Sequence, residues 1–159
     1  MRTQKRRRLE NKTDYKLRLN LLKSGVQRIV IRRTAKYFIV QVVESHAAQD
    51  KIITGVTSKD LLKNGWDAKY SGSLKSIPAG YLTGLLLAKQ VKKGSFIIDL
   101  GMARTVSGSR IFSVVKGLID GGLDINANEK AFPSEDRLNG EHLKDEVKAM
   151  ITKVKGKLA

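Results

Sequence analysis

Arg28–Val43 reads RIVIRRTAKYFIVQVV. Its two runs, Arg28–Arg33 and Tyr37–Val43, are rich in β-branched and aromatic residues, and Thr34-Ala35-Lys36 separates them at hairpin-loop length. That pattern predicts two antiparallel strands. After a polar connection, Glu44–Asp50, the run KIITGVT at Lys51–Thr57 predicts a third strand, with Gly55 expected to mark a bulge. Farther along, SFIIDL at Ser95–Leu100 is a short apolar run of the kind expected for a strand covered on both faces. The expected fold is α/β: a mixed sheet, made of an antiparallel three-strand meander plus a buried strand, flanked by helices.

Helical spacing fills the intervals. Tyr15, Leu19 and Leu22, with Leu17 and Leu21, predict a short helix over Asp14–Lys23, capped by Asp14 and ended by Gly25, with its apolar side on the body. Ser58 is expected to cap a short helix that stops at Asn64-Gly65. In the following loop, Trp66 reads equally as a lid on the core or as a stacking platform. Ser76-Ile77-Pro78 opens the strongest helix, with Ile77, Tyr81, Leu82, Leu85 and Leu86 on its apolar face and Lys89, Lys92 and Lys93 at its end. Gly80, Gly84 and Ala88 fall four apart and predict close packing on a neighbour. Ser109 is expected to cap a helix over Arg110–Asp120. Leu143, Val147, Met150, Ile151 and Val154 trace a last amphipathic helix, docked on the body or on a partner. The organisation expected is 1–25 as a basic arm and short helix, 26–125 as the α/β domain, and 126–159 as a helical tail.

The chain has 159 residues, with 31 Lys and Arg against 15 Asp and Glu, for a net charge of +16. That charge points to a polyanionic partner. There is no cysteine, and the histidines are two, His46 and His142, so thiolate and histidine metal sites are not expected. No apolar stretch approaches the about 20 residues of a membrane span, and no secretory signal follows the basic start. No phosphate-loop, dinucleotide or catalytic motif appears. The expectation is a cytoplasmic protein with no cofactor, no metal, no membrane and no small-molecule substrate.

The charge is uneven: residues 1–36 hold thirteen basic side chains and two acids. Met1–Lys12, with Arg6, Arg7, Arg8 and Lys12, predicts an arm that orders only when phosphates neutralise it, or else a solubilising tail. Lys16 and Arg18 extend it outward from the next helix, and Tyr15 either stacks on a base or packs. Arg28, Arg32 and Arg33 are expected on or beside the hairpin, as phosphate contacts or solvated edge charge. Arg104 lies in a loop ahead of Gly108, Ser109 and Arg110, a helix start able to receive a phosphate. Asp99, alone in its apolar strand, reads as a structural carboxylate rather than a catalytic one.

Several blocks occur in one order: KTDYKLRLNLLKSG (12–25), RIVIRRTAKYFIVQVV (28–43), GW (65–66), IPAGYLTGLLLAKQ (77–90), DLG (99–101), GSRIFSVVKGLIDGGL (108–123) and FPSEDRLNGEHL (132–143). Together they closely resemble the large-subunit ribosomal protein eighteen family, archaeal and eukaryotic type. The resemblance implies a ribonuclease H-like architecture without catalysis. It also implies binding to 5S rRNA and large-subunit rRNA, beside other ribosomal proteins of the central protuberance. It matches the family's RNA-contacting arm to Arg6, Arg7, Arg8, Lys12, Lys16 and Arg18, its basic hairpin to Arg32, Arg33 and Lys36, and its Gly-Ser-Arg helix start to Gly108, Ser109 and Arg110. The short carboxy-terminal segment fits the archaeal type. The rival expectations are a non-ribosomal RNA- or DNA-binding module and a metal-dependent nuclease using Asp99.

Overall fold

The computed structural model describes residues 3–47 and 49–158. Met1 and Arg2 of the arm, Ala48 of the polar connection and Ala159 lie outside the described residues. Four strands, β1 (Arg28–Arg33), β2 (Phe38–His46), β3 (Gln49–Thr57) and β4 (Ile97–Asp99), form one mixed sheet in the order β3-β2-β1-β4. The first three are antiparallel, with Ile31 opposite Val40, while β4 runs parallel to β1 with Ile98 opposite Ile29. The fold class expected from the sequence is thus the one observed.

Strand alternation divides the sheet. Ile29, Ile31, Phe38, Val40, Val42 and Val56 are buried together in the core. The opposite side of β1 carries Arg28, Val30 and Arg32, which makes it polar.

Three details differ from the sequence reading. The polar stretch expected to connect β2 and β3 is itself paired, Ser45 with Asp50 and His46 with Gln49, because a ladder satisfies the backbone while its polar side chains stay wet. The register shift lies at Val42/Val43, where Ile53 is the unpaired residue; Gly55 pairs regularly with Gln41, and a Cβ there would come within 3.0 Å of the Gln41 side chain. Finally, β4 is only partly covered: it is a three-residue edge strand, half-buried at Ile97 and Ile98 and buried at Asp99, with a strand neighbour on one side.

Helix α1 (Arg6–Leu9) is a single turn in the arm, and α2 (Tyr15–Lys23) follows it. The core helices are α3 (Ile77–Gln90) and α4 (Arg110–Asp120), with α5 (Glu135–Asn139) and α6 (Asp145–Leu158) closing the chain. Ser76 caps α3 by accepting from the Ala79 N–H, and every residue from Ile77 to Ala88 is buried, so α3 is a central helix rather than an amphipathic one. Helix α6 docks on the body: Met150, Ile151, Val154 and Leu158 join the same core as β1 and α3. Trp66 is a lid, buried to 3% exposure with its Nε1–H donated to the Tyr70 carbonyl at 3.2 Å. Residues Ser58–Asn64 form a 3-10 helix whose cap is Thr57, paired with Asp60, because Ser58 is buried and accepts from the Phe38 N–H instead.

The small-residue stripe does pack closely. Gly80, Gly84 and Ala88 of α3 lie against Ser113, Gly117 and Gly121 of α4, so the two helices run parallel with backbones nearly touching. A Cβ at Gly84 would overlap the Val114 carbonyl, and one at Gly117 the Tyr81 carbonyl. Gly84→Ala is therefore expected to destabilise the fold by about 1–3 kcal/mol through overpacking, although alanine gains about 1 kcal/mol in an unconstrained helix. Urea unfolding checks this, and a more stable variant would contradict the packing.

Candidate nucleic-acid interface

The arm is organised by short-range charge pairing. Arg6 Nε and Lys12 Nζ both reach Glu10, at 2.9 and 2.8 Å, and Arg7 Nε donates to Thr13 Oγ1 at 2.9 Å. Arg8 lies 3.4 Å from Asp14, whose carboxylate caps α2 by accepting from the Lys16 and Leu17 amides. The hydrogen bonds from Lys12 and Arg6 hold Glu10 below its ordinary value, and the Leu17 amide does the same for Asp14. Where the sequence predicted no structure, α1 is one turn with no buried residue, far below the about 12–15 residues at which an isolated helix becomes stable in water. Lys5 Nζ sits 4.6 Å from the centroid of the half-buried Tyr15 ring, so one ring face is occupied.

Helix α2 also differs from its expected packing. None of its residues is buried; Leu17 and Leu19 are exposed, and Tyr15, Arg18, Leu21 and Leu22 are half-buried. Arg18 NH2 donates to Asp50 Oδ2 at 3.0 Å, so Arg18 is tied to the sheet.

Arg28 corrects the sequence reading most clearly. It is 1% exposed and belongs to neither the solvated edge nor a phosphate-contacting surface. Its NH1 donates to Asp99 Oδ2 at 3.1 Å, and its NH2 to Asp50 Oδ1 at 2.8 Å and Ser45 Oγ at 2.7 Å. A guanidinium enclosed between β2 and β4 must find acceptors there, and these three supply them. Asp99 is the matching structural carboxylate, also accepting from Arg32 NH2 at 2.9 Å and the Gly101 N–H at 2.8 Å. The sequence signal was a lone aspartate in an apolar strand, which demands a cation partner; nothing local said that Arg28, 71 residues away, supplies it.

Burial pushes the Asp50 carboxyl up, but the Ser45 and Arg18 hydrogen bonds and the Arg28 charge overcome it and hold it below 3.8. A carboxylate depressed in the folded state adds stability above its unfolded value and loses it as pH falls through the folded one. Stability is therefore expected to decline as pH drops below about 4. Asp50→Asn should flatten that acid limb in thermal melts; an unchanged limb would place the titration elsewhere.

The remaining predicted contacts converge. Lys12, Arg32, Arg33, Arg104 and Arg110 line one cleft of about 610 Å³, together with Ser109 and the Gly101–Ala103 turn. No carboxylate is among its lining residues. Arg32 keeps 43% of its side chain exposed while NH1 donates to the Asp99 carbonyl at 2.7 Å, so it is both anchored and presented. A second gap of about 150 Å³ brings Arg7, Lys12 and Arg18 opposite Arg32 and Asp99. Arg6, Arg8, Lys16 and Lys36 line neither cleft. Ser109 holds the cap position of α4 in extended backbone, but its Oγ makes no cap hydrogen bond and is buried without a partner. Gly108, at φ +69, turns the chain into that helix start and donates its N–H to the Ala131 carbonyl. Unpaired first-turn N–H groups and the positive helix end favour an anion at this mouth.

Sequence reasoning overlooked Met102 and Val106, large apolar side chains exposed on the cleft's rim. Their only signal was two apolar residues in the loop that carries Arg104. Among the described residues no group of three or more His, Cys, Asp or Glu is placed to hold a metal ion, and no helix is long and apolar enough to cross a membrane.

A family model described as "Ribosomal large subunit proteins 60S L5, and 50S L18" matches residues 1–96 and 91–128. The large ribosomal subunit protein uL18 of Methanoregula boonei is 44% identical over 141 residues, covering 87% of this chain and 79% of its own. The uL18 proteins of Korarchaeum cryptofilum and Methanoculleus marisnigri are 44% and 42% identical over the same share of this chain, covering 70% and 78% of their own. A basic arm, a mixed sheet and an arginine-lined cleft thus occur in a chain that belongs to the family of large-subunit ribosomal proteins that includes 60S L5 and 50S L18.

Proposed function

We propose that the protein is a structural constituent of the large ribosomal subunit, in the cytoplasmic ribosome. It binds 5S rRNA, attaches it to large-subunit rRNA, and helps to form the central protuberance beside neighbouring ribosomal proteins. The observation that carries this reading is the cleft whose charged lining is five cations and no acid, continuous with the arm through Lys12. Side chains of this kind grip phosphates, and RNA shape rather than base edges decides the register. Arg33, Arg104 and Arg110 contact the backbone at the α4 mouth, while Arg6, Arg7, Arg8, Lys12 and Lys16 wrap an adjacent strand. Arg32 contributes from the exposed part of its guanidinium, and Lys36 extends the hairpin tip. The α/β unit, residues 26–125, serves as the mount, and the arm is the part that orders on RNA.

The test is selection from total archaeal RNA by the purified protein at moderate salt. Strong enrichment of 5S rRNA is expected. Retention of mixed RNA without that enrichment would support a general RNA-binding module instead.

A further inference from the structure

We propose that Asp50 positions the cationic arm, so that an acidic side chain strengthens the binding of a polyanion. This rests on the RNA-binding reading above and adds to it a residue of the wrong charge sign.

The geometry is a chain of alternating charges. Arg18 of α2 donates to Asp50 at 3.0 Å, Asp50 accepts from Arg28 at 2.8 Å, Arg28 donates to Asp99 at 3.1 Å, and Asp99 accepts from Arg32 at 2.9 Å. Burial decreases outward from Arg28 to Arg18. Arg28 and Asp99 are buried at the sheet, Asp50 is fixed from behind by Arg28 and by Ser45 Oγ at 2.6 Å, and Arg18 hangs on Asp50's remaining oxygen.

Helix α2 has little else to fix its orientation. No residue in it is buried, two of its leucines face solvent, and the half-buried Leu21 and Leu22 supply a non-directional contact. An ion pair to a held carboxylate supplies direction. With α2 so placed, the preceding turn brings Arg7 and Lys12 across the 150 Å³ gap from Arg32. Arg7 and Lys12 are thereby held beside the cleft before RNA arrives, so that part of the arm's ordering cost falls on folding, while the rest of the arm orders on RNA.

Asp50→Asn raises the net charge by one, so long-range attraction alone makes RNA binding tighter. Positioning predicts the opposite. Titrated with purified archaeal 5S rRNA, the full-length variant is expected to bind about tenfold more weakly, since several long side chains must then be ordered on binding. Asp50→Glu, which restores the carboxylate, is expected to recover most of the loss.

Arg18→Gln breaks the same tie from the exposed side and leaves Arg28, Asp50 and Asp99 together, so a comparable loss is expected in a variant whose core is untouched. In a background with Arg6, Arg7, Arg8 and Lys12 replaced by alanine, Asp50→Asn should cause no further loss. Amide exchange in α2 without RNA should accelerate in both the Asp50→Asn and Arg18→Gln variants, a readout that stands even if 5S rRNA proves not to be the partner. Parental affinity in the Asp50→Asn variant, a loss that persists in the neutralised background, or α2 exchange unchanged in both variants would each overturn the proposal.

Discussion

Replacing Lys12, Arg33, Arg104 and Arg110 together by alanine is expected to weaken RNA binding by roughly three orders of magnitude at 0.1 M salt. Each phosphate neutralised contributes about 0.7–0.9 to the slope of log affinity against log salt, and hence nearly one decade at 0.1 M relative to 1 M. The four lost contacts should also flatten that slope by about three, and salt titration reads both effects. All four side chains are exposed and line one cleft, so the variant should remain folded. Arg32 is left in place because its bonds to Asp99 belong to the sheet as well as to the surface. A slope unchanged within about one would mean that the phosphates sit elsewhere on the molecule.

The second large effect concerns stability. Asp99→Asn removes one of the two carboxylates paired with the 1%-exposed Arg28, and the new amide N–H₂ would face a guanidinium N–H. Breaking a buried pair from one side costs about 3–5 kcal/mol, because the remaining charge stays buried and under-compensated. Urea unfolding should show that loss, and the Arg28→Met, Asp99→Asn double variant should recover much of it, since two neutral groups leave no stranded charge. A single-variant loss below about 1 kcal/mol would show that water or Asp50 serves Arg28 well enough alone. Because Asp99 also accepts from Arg32 and the Gly101 amide, the variant is expected to loosen the cleft wall too.

These predictions draw on residues that were unequally legible. Arg33, Arg104 and Arg110 stand where the sequence suggested, since an exposed cation beside a hairpin or a helix start has no reason to turn inward. Arg28 looked identical to them in the run RIVIRR. What separates it is the neighbour on each side: β2 and β4 enclose its position, while Arg33 ends the strand in solvent. Asp50 likewise read as a loop acid and proved to join α2 to the sheet.

Local pattern by itself determined the strands β1 and β2, the capped start of α3, the helix α4, the small-residue stripe on α3, and the cationic bias of the first 36 residues. Each depends on side chains within a few positions of one another, so period, caps and composition suffice. Tertiary structure alone decided that Arg28 is internal, that β4 takes the edge, and that Lys12 meets Arg32 and Arg110 across one cleft. Those outcomes join residues up to about a hundred positions apart, and a charge acquires its role from the partner that the folded chain places beside it.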